Sequence, residues 1–292
     1  MRWRGRRQSD NIEDRRGSVY SGQRRRRGIG GGAMILVVLA GLFFGDDVSN
    51  IVGLLLQGNT EQVVQQQSSS GTQRNTGASS PGQQDEAAQF VSVVLAETED
   101  TWNQVFASLG KRYESPKLVL YNAMVQSACG SSSAASGPFY CPGDHQIYLD
   151  LSFLNELRRM GAPGDFAFAY VIAHEVGHHV QNLVGIANQV RAQQARVSKA
   201  QGNALSVLME LQADCLAGVW INHTENRNSI LEAGDIEEGL EAAAAVGDDR
   251  ILSQAGRRVD REAFTHGSSA ERIKWFKQGM RSGDIQSCNT FG

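Results

Sequence analysis

Five residues constrain this chain most: His174-Glu175-Val176-Gly177-His178, set among Phe166, Phe168, Tyr170, Val171, Ile172, Val180 and Leu183. Gly164-Asp165 offers a helix start and Gly185 a stop, so the spacing predicts one helix from about 165 to 183. Residues four apart on it stand about 400° around the axis, one turn apart on one face. Two unpaired imidazoles and a carboxylate are expensive to bury in an apolar helix. A single metal ion accounts for all three. The imidazoles of His174 and His178 can ligate it, while Glu175, offset by about 100°, reaches a water bound to it. A zinc hydrolase needs this set: two neutral nitrogen ligands and a carboxylate to take the proton of the attacking water. Gly177 costs a helix about 1 kcal/mol relative to Ala, which predicts another segment packed closely there.

A catalytic zinc takes a third protein ligand and keeps one position open. The helix expected over 203–223 supplies a candidate in Glu210-Leu211-Gln212-Ala213-Asp214. Glu210 and Asp214 share one face of a helix otherwise apolar at Leu205, Leu208, Met209, Leu211, Leu216 and Val219. Two acids so placed repel unless a cation or donor satisfies them. Glu210 is the expected ligand. Asp214 is expected to accept a hydrogen bond from the non-ligating nitrogen of His174 or His178. A solvated acidic pair is the plain alternative.

Charge is divided unevenly along the 292 residues. Residues 1–27 carry ten Arg against Asp10, Glu13 and Asp14, a net +7, which leaves −10 for the rest of a −3 chain. An acidic folded part argues against nucleic acid as a partner. From Gly28 to Gly45 no residue is charged, with an apolar centre Ala33-Met34-Ile35-Leu36-Val37-Val38-Leu39-Ala40. The run is short but adequate for a bilayer-spanning helix. The Arg cluster before it would stay cytoplasmic and the rest of the chain would lie across the membrane. A cleaved signal peptide is the rival reading, without a convincing cleavage site. Gln, Ser, Gly, Thr and Asn dominate 57–84, so 46–84 reads as a flexible linker. The expected organisation is therefore a basic cytoplasmic tail (1–27), a transmembrane signal-anchor helix (28–45), a linker (46–84) and a folded domain (85–292).

Cys129, Cys141, Cys215 and Cys288 all fall in that domain, an even number that suits an oxidising compartment. Pairing Cys129 with Cys141 across a Ser/Gly-rich loop is economical and leaves Cys215 with Cys288. Four buried thiols are the alternative. Helical periodicity runs through 86–109, and further helices are expected at 235–246 and 268–281. Strands are expected at 117–121 and 146–151. Helices dominate and the few strands come early, which argues for an α+β fold.

HEVGH followed 32 residues later by E-x-x-A-D resembles the gluzincin pattern. The opening Met1-Arg2-Trp3-Arg4-Gly5-Arg6-Arg7, Gly137-Pro138-Phe139-Tyr140-Cys141-Pro142, HEVGHH, Glu210–Asp214 with Cys215, and Phe264-Thr265-His266-Gly267 resemble the bacterial YpfJ-like neutral zinc metallopeptidases. The resemblance covers nearly the whole chain apart from the linker. It implies a mainly helical, zincin-like peptidase domain with a small sheet, one Zn2+ per chain, and a bacterial inner-membrane location with the catalytic domain periplasmic. Carried over, it makes His174 and His178 ligands, Glu175 the base and Glu210 the third ligand. Thr265-His266 with Arg272 resembles a Thr-His-Pro…Arg segment of HtpX-like enzymes, with Gly267 in place of Pro. His266 is thereby a candidate donor to the oxyanion; capping of the following helix is the structural alternative. His179 is read as packing or surface, and His145 and His223 have no partner pattern.

The expected substrate is a peptide or protein, cleaved by a water that Glu175 deprotonates. The strand at 146–151, as zincins place it, would edge the cleft and make Tyr148 and Asp150 specificity candidates. Two rivals share the site: a membrane-tethered scaffold whose metal only stabilises the domain, and a zinc hydrolase of cell-wall peptide cross-links.

Overall fold

The computed structural model describes residues 1–17 and 81–292, with backbone alone for 81–84. Strand β1 (Ile12–Asp14) precedes helix α1 (Pro81–Ser108). Strands β2 (Lys117–Tyr121), β3 (Met124–Ser127), β4 (Gly130–Ser133), β5 (Phe139–Cys141) and β6 (Gln146–Asp150) follow. The rest is helical: α2 (Phe153–Arg159), α3 (Asp165–Leu183), α4 (Ile186–Gln194), α5 (Lys199–Asn228), α6 (Asp235–Ala245), α7 (Asp248–Gln254) and α8 (Ser269–Ser282). The described residues are thus mainly helical with two small sheets. One has the order β1-β2-β6-β5 and the other pairs β3 with β4. β1, β2 and β6 run parallel, and β5 closes the edge antiparallel to β6.

Helix α3 is buried along most of its length, from Phe166 to Gln181, which is why its sequence is apolar nearly all round. Phe166, Phe168, Tyr170, Trp102, Trp220 and Phe276 fill the core around it. Helix α5 crosses α3 at Gly177, where an added Cβ would lie 3.0 Å from the Ala213 carbonyl oxygen. That is the close approach which the glycine predicted. Helices α5 and α8 meet more tightly still: a Cβ on Gly218 or Gly279 would run into the backbone of the other helix. Ser198 caps α5 and Ser268 caps α8, each with a reciprocal capping box. Disulfides join Cys129 to Cys141 and Cys215 to Cys288.

The N-terminal segment departs from its expected role as a separate tail. Residues 1–17 belong to the same compact unit as the domain. Met1 and Trp3 are buried, and the Trp3 ring meets Phe90 edge-on at 5.5 Å. The α-amino group of Met1 lies among Asp165, Glu232 and Asp235 at 3.1, 2.8 and 3.2 Å. Arg6 pairs with Glu97 and Arg7 with Glu99 and Asp100, while Ser9 and Asn11 donate to Glu99. β1 then adds to the sheet in register with Leu118–Leu120. Arginines read from sequence as topology charges are here ion-pair partners of α1. A single crossing between residues 28 and 45 would put 1–17 and 85–292 on opposite faces of a bilayer. Their packing excludes that division. The proposed anchor, 28–45, lies outside the described residues, as does the linker except for its last four residues, which begin α1. Among the described residues the one helix long and apolar enough to cross a membrane is α5, and most of its apolar window is buried in the core.

Candidate metal centre

Helix α3 offers His174 and His178 on one face, and α5 brings Glu210 against them. His174 Nε2 stands 3.2 Å from Glu210 Oε2, and His178 Nε2 stands 3.4 Å from Glu210 Oε1. Ligand atoms around a tetrahedral zinc, bonded at about 2.0–2.2 Å, lie roughly 3.4 Å apart. The two separations match that spacing. Among the described residues, no other His, Cys, Asp or Glu joins these three in the cluster.

The outer nitrogens decide which way each ring faces. His174 Nδ1 lies 2.8 Å from Asp214 Oδ1, and an ionised carboxylate only accepts, so Nδ1 carries the proton. His178 Nδ1 lies 2.9 Å from Gln181 Oε1 and likewise donates. Both rings therefore turn Nε2 toward Glu210. Burial works against a charged His174, but Asp214 and Glu210 outweigh it and push its pKa up to about 9. Burial likewise opposes ionisation of Glu210, yet the two imidazoles hold its carboxyl well below the usual range. The pocket's field thus favours a cation at the meeting point of the three side chains, and two imidazole nitrogens with one carboxylate suit zinc.

Asp214 is fully buried and sits behind His174, where Tyr170 also donates to it. Arg272 of α8 donates to the same carboxylate from 2.9 Å and reaches to 3.7 Å from Glu210. The spacing of Glu210 and Asp214 pointed to the His174 contact, and the HtpX-like resemblance only to an Arg near the site; Tyr170 and the Arg272–Asp214 pairing gave no signal. Glu175, next in sequence to His174, is buried. Burial pushes its pKa up, partly offset by His178 and His174, and the Tyr140 backbone N–H helps hold its charge. A carboxylate with a raised pKa is a better proton acceptor than an exposed one.

His266 sits on the loop before α8. Its Nδ1 lies 3.2 Å from Asp248 Oδ1, so it does not cap that helix; Ser268 does. Asp248 Oδ2 accepts the backbone N–H groups of Thr265, His266 and Gly267 at 2.8, 2.6 and 2.9 Å. One carboxylate therefore clamps the whole turn. Gly267, at φ +87°, packs over Leu211 and Val207 of α5, beside Glu210. Besides Asp248, the charges of Glu210 and Arg272 act on His266. Sequence reasoning missed Asp248, since nothing in its local spacing ties it to a loop 18 residues later.

Strand β6 is not the sheet edge that sequence suggested. It lies between β2 and β5, with Tyr148 and Asp150 buried. Tyr148 donates to Asp144, and Asp150 accepts from the backbones of Ala123 and Ser152, so neither is free to choose a substrate. Among the described residues the sheet edge beside α3 is β5, only three residues long. His179 ties it there: Nε2 donates to the Glu114 carbonyl at 2.6 Å, and Nδ1 accepts from Tyr140 at 3.1 Å. Burial holds His179 neutral, its pKa lowered to about 4. Asn182 donates both to Tyr140 and to His145, while His223 donates to the Gly283 carbonyl far from the centre.

Sequence comparison supplies the family. Residues 1–291 match the family described as "Putative neutral zinc metallopeptidase". The chain belongs to it. Within this zinc metallopeptidase family it is similar to the "Uncharacterized protein YpfJ" of Escherichia coli K12, 50% identical over 293 residues, covering 100% of this chain and 99% of that one. It is also similar to the "Uncharacterized protein Rv2575" of Mycobacterium tuberculosis H37Rv, 44% identical over 218 residues, or 70% of this chain and 72% of the relative. No solved structure matches the chain.

Proposed function

We propose that this member of the zinc metallopeptidase family hydrolyses peptide bonds, with His174, His178 and Glu210 holding one Zn2+ and Glu175 acting as general base. The observation that carries the reading is the approach of two Nε2 atoms to one carboxylate at 3.2 and 3.4 Å, next to a buried Glu175 that is not itself part of the cluster. A structural zinc normally fills four positions with protein and has no use for such a carboxylate. Three ligands and a base suit catalysis.

When bound, the ion supplies Lewis acidity toward the scissile carbonyl and toward water. Glu175 takes the proton of the attacking water and passes it to the leaving nitrogen. His266, held by Asp248 through Nδ1, donates from Nε2 to the oxygen on which charge develops. Asp214, backed by Arg272 and Tyr170, keeps the ring of His174 in one orientation. Among the described residues β5 is the outer strand of its sheet on the side of α3, where an extended peptide would add as the next strand. A peptide or protein chain is accordingly the substrate class. If residues 28–45 attach the protein to a bilayer, 1–17 and 81–292 lie on the same face of it.

The test is Glu175→Gln, assayed on a peptide library. The variant should retain zinc and lose hydrolysis by at least about 100-fold, the usual worth of a general base. Wild-type turnover in that variant would overturn the mechanism.

A further inference from the structure

His178 is supported differently from His174, through a chain of buried amides that ends on a disulfide. Gln181 Nε2 donates to the Met209 carbonyl at 2.7 Å and to Gln212 Oε1 at 3.0 Å. Gln212 Nε2 in turn donates to the Cys288 carbonyl at 3.0 Å. A backbone carbonyl can only accept, so the far end fixes the polarity of the whole chain. Gln212 must present its NH2 to Cys288 and its oxygen to Gln181. Both N–H groups of Gln181 are then engaged, which leaves its oxygen for His178 Nδ1.

Burial removes the alternatives. Gln181 is 0% exposed, Gln212 5% and Cys288 1%, so water is not at hand to replace a lost link. Flipping either amide would set oxygen against oxygen in the core, a cost of about 1–3 kcal/mol for each unsatisfied group. Cys288 itself lies in a short 3₁₀ turn, Ile285–Cys288, tied covalently to Cys215. Cys215 directly follows Asp214, the residue that orients His174. One covalent bond therefore stands next to the supports of both imidazoles. Thr290 also holds the last residues to α5, by a hydrogen bond to the Leu208 carbonyl.

We infer that Gln181, Gln212 and the carbonyl of Cys288 form a positioning relay that holds His178 Nε2 toward the metal, and that the Cys215–Cys288 bond anchors it. The inference rests on the metal centre proposed above and adds positioning residues that neither the zinc motif nor the family description assigns. Gln181 touches the ligand, whereas Gln212 and Cys288 act through it.

The experiment measures zinc affinity of the full chain by competition with a chromophoric chelator, and the visible spectrum of the cobalt-loaded protein. Gln181→Met keeps the volume and removes both functions of the amide. It should weaken zinc binding by about 10–100-fold and shift the cobalt bands. Gln212→Met and the double variant Cys215→Ala/Cys288→Ala should weaken it in the same direction but less. Gln193→Met, at an exposed position of α4, should change neither readout. Wild-type affinity and spectrum in Gln181→Met would refute the relay while leaving the metal centre standing. If Gln181→Met does not fold, unchanged affinity in both Gln212→Met and the double cysteine variant refutes the relay equally. A wild-type chain that takes up no zinc refutes the metal centre itself, and the relay with it.

Discussion

Gly177 and Ala213 touch where helices α3 and α5 cross. A Cβ on Gly177 would come within 3.0 Å of the Ala213 carbonyl oxygen and 3.1 Å of its Cα. Both are backbone atoms of α5, one residue before Asp214 and three after Glu210. The missing side chain thus sets the distance between the histidines and their carboxylate.

Gly177→Ala is expected to force the helices apart. Overpacking costs about 1–3 kcal/mol, against about 1 kcal/mol gained in helix propensity. The variant should melt at a lower temperature than wild type and bind zinc more weakly. Calorimetry with and without zinc reads both effects, and a higher melting temperature with unchanged zinc affinity would show that the contact is slack.

Trp3→Ala tests whether the N-terminal strap is part of the fold. Removing a buried tryptophan costs about 3–5 kcal/mol, and the ring is seated on Phe90 in the core. Urea unfolding should show a loss of that order. An independent tail would leave the midpoint where it was.

Asp248→Asn addresses the pH dependence. Burial opposes the charge on His266, but Asp248 and Glu210 outweigh it and raise its pKa. The charged ring stabilises the fold fully below the ordinary histidine value of about 6.5, and that contribution is lost as pH rises through the raised value. The asparagine variant should lose less stability over this range than wild type does. If His266 donates to the oxyanion, the alkaline limb of kcat/KM should also move to lower pH. Coincident profiles for the two proteins would remove Asp248 from its positioning role.

Helical periodicity made much of this legible in advance. His174, His178, Glu210 and Asp214 are each recognisable because partners four apart must share a face, and Gly177 was readable as a contact point. Features that depend on distant residues were not. Strand β5 is too short for alternation to show, so the sequence points to 146–151 as the strand lining the cleft. Arg6 and Arg7 carry the same charge whether they hold a tail at a membrane or pair with Glu97 and Glu99. Only the folded chain tells these apart. Asp248 resembles any acid in the first turn of a helix. Gln181 stands three residues after His178, a spacing that could have suggested their contact.

Metal content tests the central claim most directly. Wild-type protein, exhaustively dialysed after zinc loading and measured by elemental analysis, should retain one zinc per chain, and Glu210→Ala should retain far less while keeping its helical circular dichroism. Full zinc occupancy in Glu210→Ala would mean that the carboxylate between the imidazoles is not a ligand.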